Sequence, residues 1–178
     1  PIFNNAYMMT GSHHLYNYLP TKHEKWLTMI KQEIIDSGLI VDILNAKTME
    51  DVFRLLQGCS FLGSFLAYQY TIDMNYSPYI NFSENDFVKA GIGAIRGIKK
   101  CFLCYGNKCE DAIWYVKEHF NDLQKRYGYT SFHPLLGHEP TLIDLQNCFC
   151  ETDKYLRAKM PELRIGNVRI KQKYMPHT

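Results

Sequence analysis

"FVKAGIGAIRGIKKCF", residues 87–102, places three glycines and four cations in a stretch whose other residues favour a helix. Gly91-Ile92-Gly93 reads as a tight hairpin between two helical pieces, with bare backbone N–H groups turned outward at the start of the second. The dipole at such a helix start favours an anion. Lys89, Arg96, Lys99 and Lys100 add positive charge, and no acidic residue lies between 87 and 102. A phosphate-gripping turn of the helix-hairpin-helix kind is one reading, with contacts to a nucleic-acid backbone that carry no sequence information. A helix–helix corner with a solvated basic face is the other.

The rest of the chain supplies the helices that such a turn would join. His23, Trp26, Leu27, Ile30, Ile34 and Ile35 recur at helical spacing, and Gly38 follows as a stop. Thr48 and Asp51 have the spacing of a capping box ahead of Val52, Phe53, Leu55 and Leu56, and Gly58 closes that helix. Residues 63–75, "GSFLAYQYTIDMN", are apolar on most sides and predict a buried helix. Ser83 and Asp86 repeat the capping spacing just before the opening stretch. Residues 110–126 carry Ile113, Trp114, Val116, Phe120 and Leu123 along one stripe, which predicts a single helix. Thr141 and Asp144 open a last helix that runs to about Lys159. Only "IGNVRIKQK", residues 165–173, alternates like a strand. The expectation is an all-α, irregular helical domain, residues 1–178 as one unit.

Composition bounds the function. The chain of 178 residues, 46% of them hydrophobic, is long enough to bury a core of its own. Its first 20 residues lack the apolar segment of a signal peptide, and no run of about 18 apolar residues occurs anywhere, so a cytoplasmic location without membrane contact is expected. A start at Pro1 rather than Met suggests trimming or a place within something longer. The net charge of +2 is too small to argue nucleic-acid binding in bulk, which leaves the argument to local clusters. The six cysteines include Cys101-x-x-Cys104, Cys109 and Cys148-x-Cys150. Cys148 and Cys150 would point to different faces of one helix, so neither a metal nor a cofactor is expected, and buried free thiols are.

Two polar sets stand out from the apolar helices. Asp144, Asn147, Cys148, Glu151 and Tyr155 are spaced at three or four residues and share a helix face. Paired carboxylates there can divide into an acid and a base. Alternatively Asp144 is the capping-box acid and Glu151 pairs locally with Lys154 or Tyr155. Gln69 and Asp73 lie one turn apart on the apolar helix 63–75. Buried, they either pin neighbouring backbone or line a pocket that reads a polar ligand such as a base edge.

"FLAYQYTIDMNYS" (65–77), "INFSENDFVKAGIGAIRGIKKCF" (80–102) and "LIDLQNCFCETDKYLRAK" (142–159) resemble the helical family named for α-glutamyl/putrescinyl-thymine pyrophosphorylases, which includes the helical domain of phage 5-hydroxymethyl-deoxyuridine DNA kinases. The resemblance runs from "FNNAYMMTGS" to about Arg157. It implies a fold like the helix-hairpin-helix DNA glycosylases and a partner in DNA that contains modified pyrimidines, with relatives tied to phage hypermodification and defence against it. The family pattern carries over to Gln69 and Asp73, to Gly91, Gly93, Arg96 and Gly97, and to Asp144, Gln146, Asn147, Glu151, Asp153, Lys154 and Arg157.

On that resemblance the hairpin glycines with Arg96, Lys99 and Lys100 hold the duplex, and a modified pyrimidine is extruded. Gln69, Asn147 and Lys154 hold the base. Asp144, with Asp73 or Glu151 in reserve, stabilises positive charge at C1′ in base excision. The family name also suggests displacement at an activated 5-methyl group, with the same acid taking a proton from an amine. A non-catalytic module of a larger DNA-hypermodification protein, and a purely structural helical domain, stand as alternatives. No GxxxxGK[ST] occurs in the chain, so by itself it is no P-loop kinase.

Overall fold

The computed structural model describes residues 11–129, 131, 133 and 137–163. Among them all regular structure is helical. The strand expected at 165–173 lies outside the described residues, as do residues 3–10 of the first motif. The chain divides after Phe82 into two compact units.

In the first unit a single 3₁₀ turn, His14–Tyr16, precedes α1 (Lys22–Met29). Thr21 and Glu24 form a capping box at its start. The helix expected to run to Gly38 instead widens into a π-helical segment, Ile30–Asp36. That widening coincides with a long-range demand on Glu33, whose Oε2 accepts from the Ser60 N–H (2.7 Å) and whose Oε1 accepts from the Tyr16 hydroxyl (2.6 Å). Gly38 (φ 83°) turns the chain into α2 (Leu39–Leu44). The predicted capping box of Thr48 and Asp51 opens α3 (Met49–Gln57), and α4 follows (Ser64–Asn75). Met29, Ile43, Met49, Val52, Leu56 and Tyr68 form the buried centre. The Asn75 side chain behaves as a strand partner would, donating to the Phe82 carbonyl (2.9 Å) and accepting from its N–H (2.7 Å).

Phe61 departs from what an aromatic residue tolerates, with φ at 65°. The strain is held from two sides. Its ring stacks on Trp26 at 5.5 Å, and the preceding residue, Ser60, is tethered to Glu33. Burial pushes the Glu33 carboxyl upward, but the hydrogen bonds from Ser60 and Tyr16 outweigh it and hold the group below the usual range. A lowered folded value means that the Glu33 contribution is present above the unfolded value of about 4.3 and is lost as pH falls through the folded one. Glu33→Gln should therefore cost about 2 kcal/mol near neutral pH, and the gap to wild type should close in acid. Urea titrations of both proteins across pH check this. A gap independent of pH would mean that the carboxylate charge contributes nothing.

In the second unit α5 (Ile92–Cys101) and α8 (Leu142–Lys159) pack on one another. The stripe expected to form one helix over 110–126 is broken into α6 (Glu110–Glu118) and α7 (Phe120–Arg126). His119 makes the break: its ring lies on Tyr115 (4.4 Å between centroids) and its Nδ1 is 2.9 Å from the Tyr115 carbonyl. Residues 83–91 contain no helix, so Gly91-Ile92-Gly93 does not join two helices. Ser83 and Asp86 form a turn instead of a capping box, with the Asp86 N–H bonded to the Ser83 carbonyl. The extended segment is fixed by side chains: the Ala90 N–H donates to Glu110 (3.1 Å) and the Gly91 N–H to Gln146 (3.2 Å). The local hairpin is therefore corrected to a helix start approached by extended chain.

Candidate functional site

The contact between α5 and α8 explains the glycines of the opening stretch. A Cβ on Gly97 would stand 2.0 Å from the Phe149 carbonyl oxygen, and one on Gly93 would stand 2.4 Å from Cys150 Sγ. These glycines, one turn apart, let the two backbones approach more closely than any side chain would allow. Gly91 is buried and its N–H is used within the protein, so it does not offer the outward amide expected of it.

The four cations separate into two kinds. Lys100 has a side chain only 1% exposed, and its ammonium donates to Asp153 Oδ1 at 2.6 Å. Arg157 Nε lies 3.1 Å from the other oxygen of the same carboxylate. Lys89 pairs with Glu110 at 2.9 Å. Burial raises the Glu110 carboxyl, but the bonds from Lys89 and the Ala90 N–H bring its pKa below the ordinary range. Lys100 is therefore an interior cation, contrary to its expected place on the surface. Arg96, half-buried, and Lys99, exposed, have no ion-pair partner among the described residues.

α8 has two chemically different faces. Inward lie Gln146 and Asp153, each about 2% exposed or less. Outward and exposed lie Asp144, Asn147, Cys148, Glu151, Lys154 and Tyr155, so the shared face read from their spacing is present and faces solvent. Its charged and amide groups, Asp144, Asn147, Glu151 and Lys154, already have local partners. Asp144 Oδ2 accepts from the Thr141 N–H (2.9 Å) and hydroxyl (3.0 Å), which is the predicted capping box. Glu151 accepts from Lys154, and this hydrogen bond raises the Lys154 pKa. Asn147 Oδ1 accepts from Gln146 Nε2 at 2.9 Å.

Gln69 and Asp73 lie on α4 in the first unit, and the expectation that both are buried needs correction. Asp73 is exposed, and so are Phe65 and Tyr70 on a helix expected to be buried. Gln69 is half-buried, and its amide nitrogen is shielded from solvent without a hydrogen-bond partner. All six cysteines are free, but only Cys59 is buried, while Cys101, Cys104 and Cys148 are exposed. Among the described residues no three His, Cys, Asp or Glu side chains gather as metal ligands, and no helix is long and apolar enough to cross a membrane.

Sequence reading did not identify Gln146 and Asp153 as the residues that fix α8 to α5. The available signal was two polar residues out of phase with the exposed face of an amphipathic helix. The family model described as the helical domain of 5-hmdU DNA kinase matches residues 1–165. Comparisons with curated proteins and with solved structures gave no match.

Proposed function

The chain belongs to the family of 5-hmdU DNA kinase helical domains, and from that premise we propose that it is a DNA-engaging domain acting in modified-base metabolism. Its partner is DNA that carries modified pyrimidines, and the domain needs no bond-breaking chemistry of its own. The family match across 165 of the residues carries this reading. The geometry around the proposed catalytic acid supports it. Asp144 is exposed with one oxygen held by Thr141, and Glu151 is exposed and held by Lys154, so both carboxylates are engaged locally on an open helix face and not enclosed around an extruded base. Phosphate contacts fall to Arg96 and Lys99, the cations of α5 that no acid neutralises among the described residues.

Binding isotherms on duplex DNA with and without 5-hydroxymethyl-deoxyuridine, taken over a salt series, test this. Affinity should fall steeply with salt, and Arg96→Ala or Lys99→Ala should each lower the slope by about 0.9. A salt-independent wild type, or an unchanged slope in both variants, would overturn the reading.

Asp144→Asn should cost no more than about 1 kcal/mol, the worth of a cap with its dipole interaction, and should leave the isotherm unchanged. Base excision is the competing chemistry. It would be established if wild type releases free modified base in a single turnover and Asp144→Asn slows that release about a hundredfold with DNA affinity intact.

A further inference from the structure

A cleft of about 480 Å³, a size typical of small-molecule sites, lies within the second unit and is lined from the end of α5, the loop that follows it, α6 and α7. Phe102, Tyr105, Tyr115 and Tyr127 contribute rings to its lining, and Arg126 and Asp111 contribute charge. Neither the spacing of these residues nor any of the polar sets discussed above points to this place.

The cleft is built rather than incidental. Asp111 Oδ2 accepts from the Asn107 N–H (2.9 Å) and the Lys108 N–H (3.2 Å), which fixes the loop at the rim. That loop turns at Gly106 (φ 84°), where a Cβ would stand 2.8 Å from the Asp111 Cβ. Tyr115 is held in turn by the His119 ring stacked against it. Tyr115 and Tyr127 nevertheless remain exposed, at 44% and 67%. Exposed tyrosines on a fixed frame offer π faces with little ordering left to do on binding.

We propose that this cleft takes one nucleotide of a DNA strand, the base stacked among the tyrosines and the adjoining phosphate paired with Arg126. Three features select that occupant. Aromatic faces accept any planar base. The Arg126 guanidinium matches a phosphate. Asp111 keeps an oxygen, Oδ1, that no hydrogen bond occupies among the described residues and that can accept from a base N–H or a sugar hydroxyl. The inference rests on the DNA-engaging reading and assigns a second contact region besides Arg96 and Lys99.

Fluorescence anisotropy on the full chain tests it with a short single-stranded oligothymidylate, the same oligonucleotide with one central abasic position, and free thymidine monophosphate. Tyr115→Leu, which keeps apolar bulk but removes the π face, should weaken the intact oligonucleotide about tenfold with no change in salt slope. Against the abasic strand that penalty should shrink. Arg126→Gln should lower the slope by about 0.7, the single-strand value for one phosphate. A monophosphate that competes fully would place the occupant as a free nucleotide, and would overturn the strand-bound form of the proposal. Wild-type affinity in both variants, with Lys99→Ala still impaired, would overturn the cleft and spare the DNA-engaging reading. Absence of binding by wild type to any DNA would overturn both.

Discussion

Gly97→Ala is expected to cost the protein about 3 kcal/mol, although alanine is the better helix former by about 1 kcal/mol. The two effects oppose one another, and the distances decide between them. The new methyl would meet the Phe149 carbonyl oxygen at 2.0 Å and its carbon at 2.8 Å, where ordinary contact begins near 3.4 Å. Both atoms are backbone of α8, so no rotamer change relieves the clash. The helices must separate, and dispersion contacts are lost along the whole α5–α8 seam. Gly93→Ala is the informative contrast. Its methyl meets the Cys150 Sγ at 2.4 Å, but the Cys150 Cβ only at 3.4 Å. That sulfur can swing away or be deleted, so Gly93→Ala should cost about 1 kcal/mol, and the pair Gly93→Ala/Cys150→Ala should recover most of it. Equilibrium urea unfolding reads all three. If Gly97→Ala proves as stable as wild type, the glycine is not there for close approach.

This contrast shows which parts of the fold were legible in the sequence. Helical content was, because its signals are local: the boxes at Thr48–Asp51 and Thr141–Asp144 formed as their spacing requires. The break between α6 and α7 has a local cause, His119 against Tyr115 four residues before it, but two other departures have distant ones. The π segment at Ile30–Asp36 coincides with a bond from Glu33 to a residue 27 positions later. Residues 83–91 look like a helix start, but the N–H groups of Ala90 and Gly91 go to Glu110 and to Gln146, the latter 55 positions away. No window of a dozen residues contains those partners. The two readings of the α8 face stayed open in the sequence for the same reason. Periodicity grouped Asp144, Asn147 and Glu151 on one face, but only the packing of α5 showed that this is the solvent side. The cleft tyrosines were invisible because Tyr105, Tyr115 and Tyr127 come from three separate segments.

Charge was the least legible feature. The stretch 87–102 has no acid of its own, which suggested four surface cations, yet Glu110 and Asp153 neutralise two of them from elsewhere in the chain. An acid-free run is therefore evidence of basic surface only after tertiary partners are known.

Asp153→Ala is expected to be the other most damaging single change, at about 3–5 kcal/mol. Its carboxylate is 1% exposed and is the ion-pair partner of a Lys100 side chain that is itself 1% exposed. Removing it strands an ammonium in the interior between α5 and α8, where water cannot replace the lost partner without opening the seam. Arg157 suffers less, because its side chain still reaches solvent at 12%. Removing both charged partners is different in kind from removing one. Lys100→Met/Asp153→Leu fills the same space with apolar atoms and removes the interior pair but leaves Arg157, 12% exposed, without its carboxylate, so the double variant should recover most of the Asp153→Ala loss and not all of it. Urea unfolding of Asp153→Ala, Lys100→Met and the double variant makes the comparison. If Asp153→Ala costs under about 1 kcal/mol, the pair is not sealed from water as its geometry implies. The double variant also decides how Lys100 bears on DNA. A surface phosphate contact would lower the salt slope of binding when Lys100 is lost, whereas an interior cation leaves that slope at the wild-type value once the fold is restored by the second substitution.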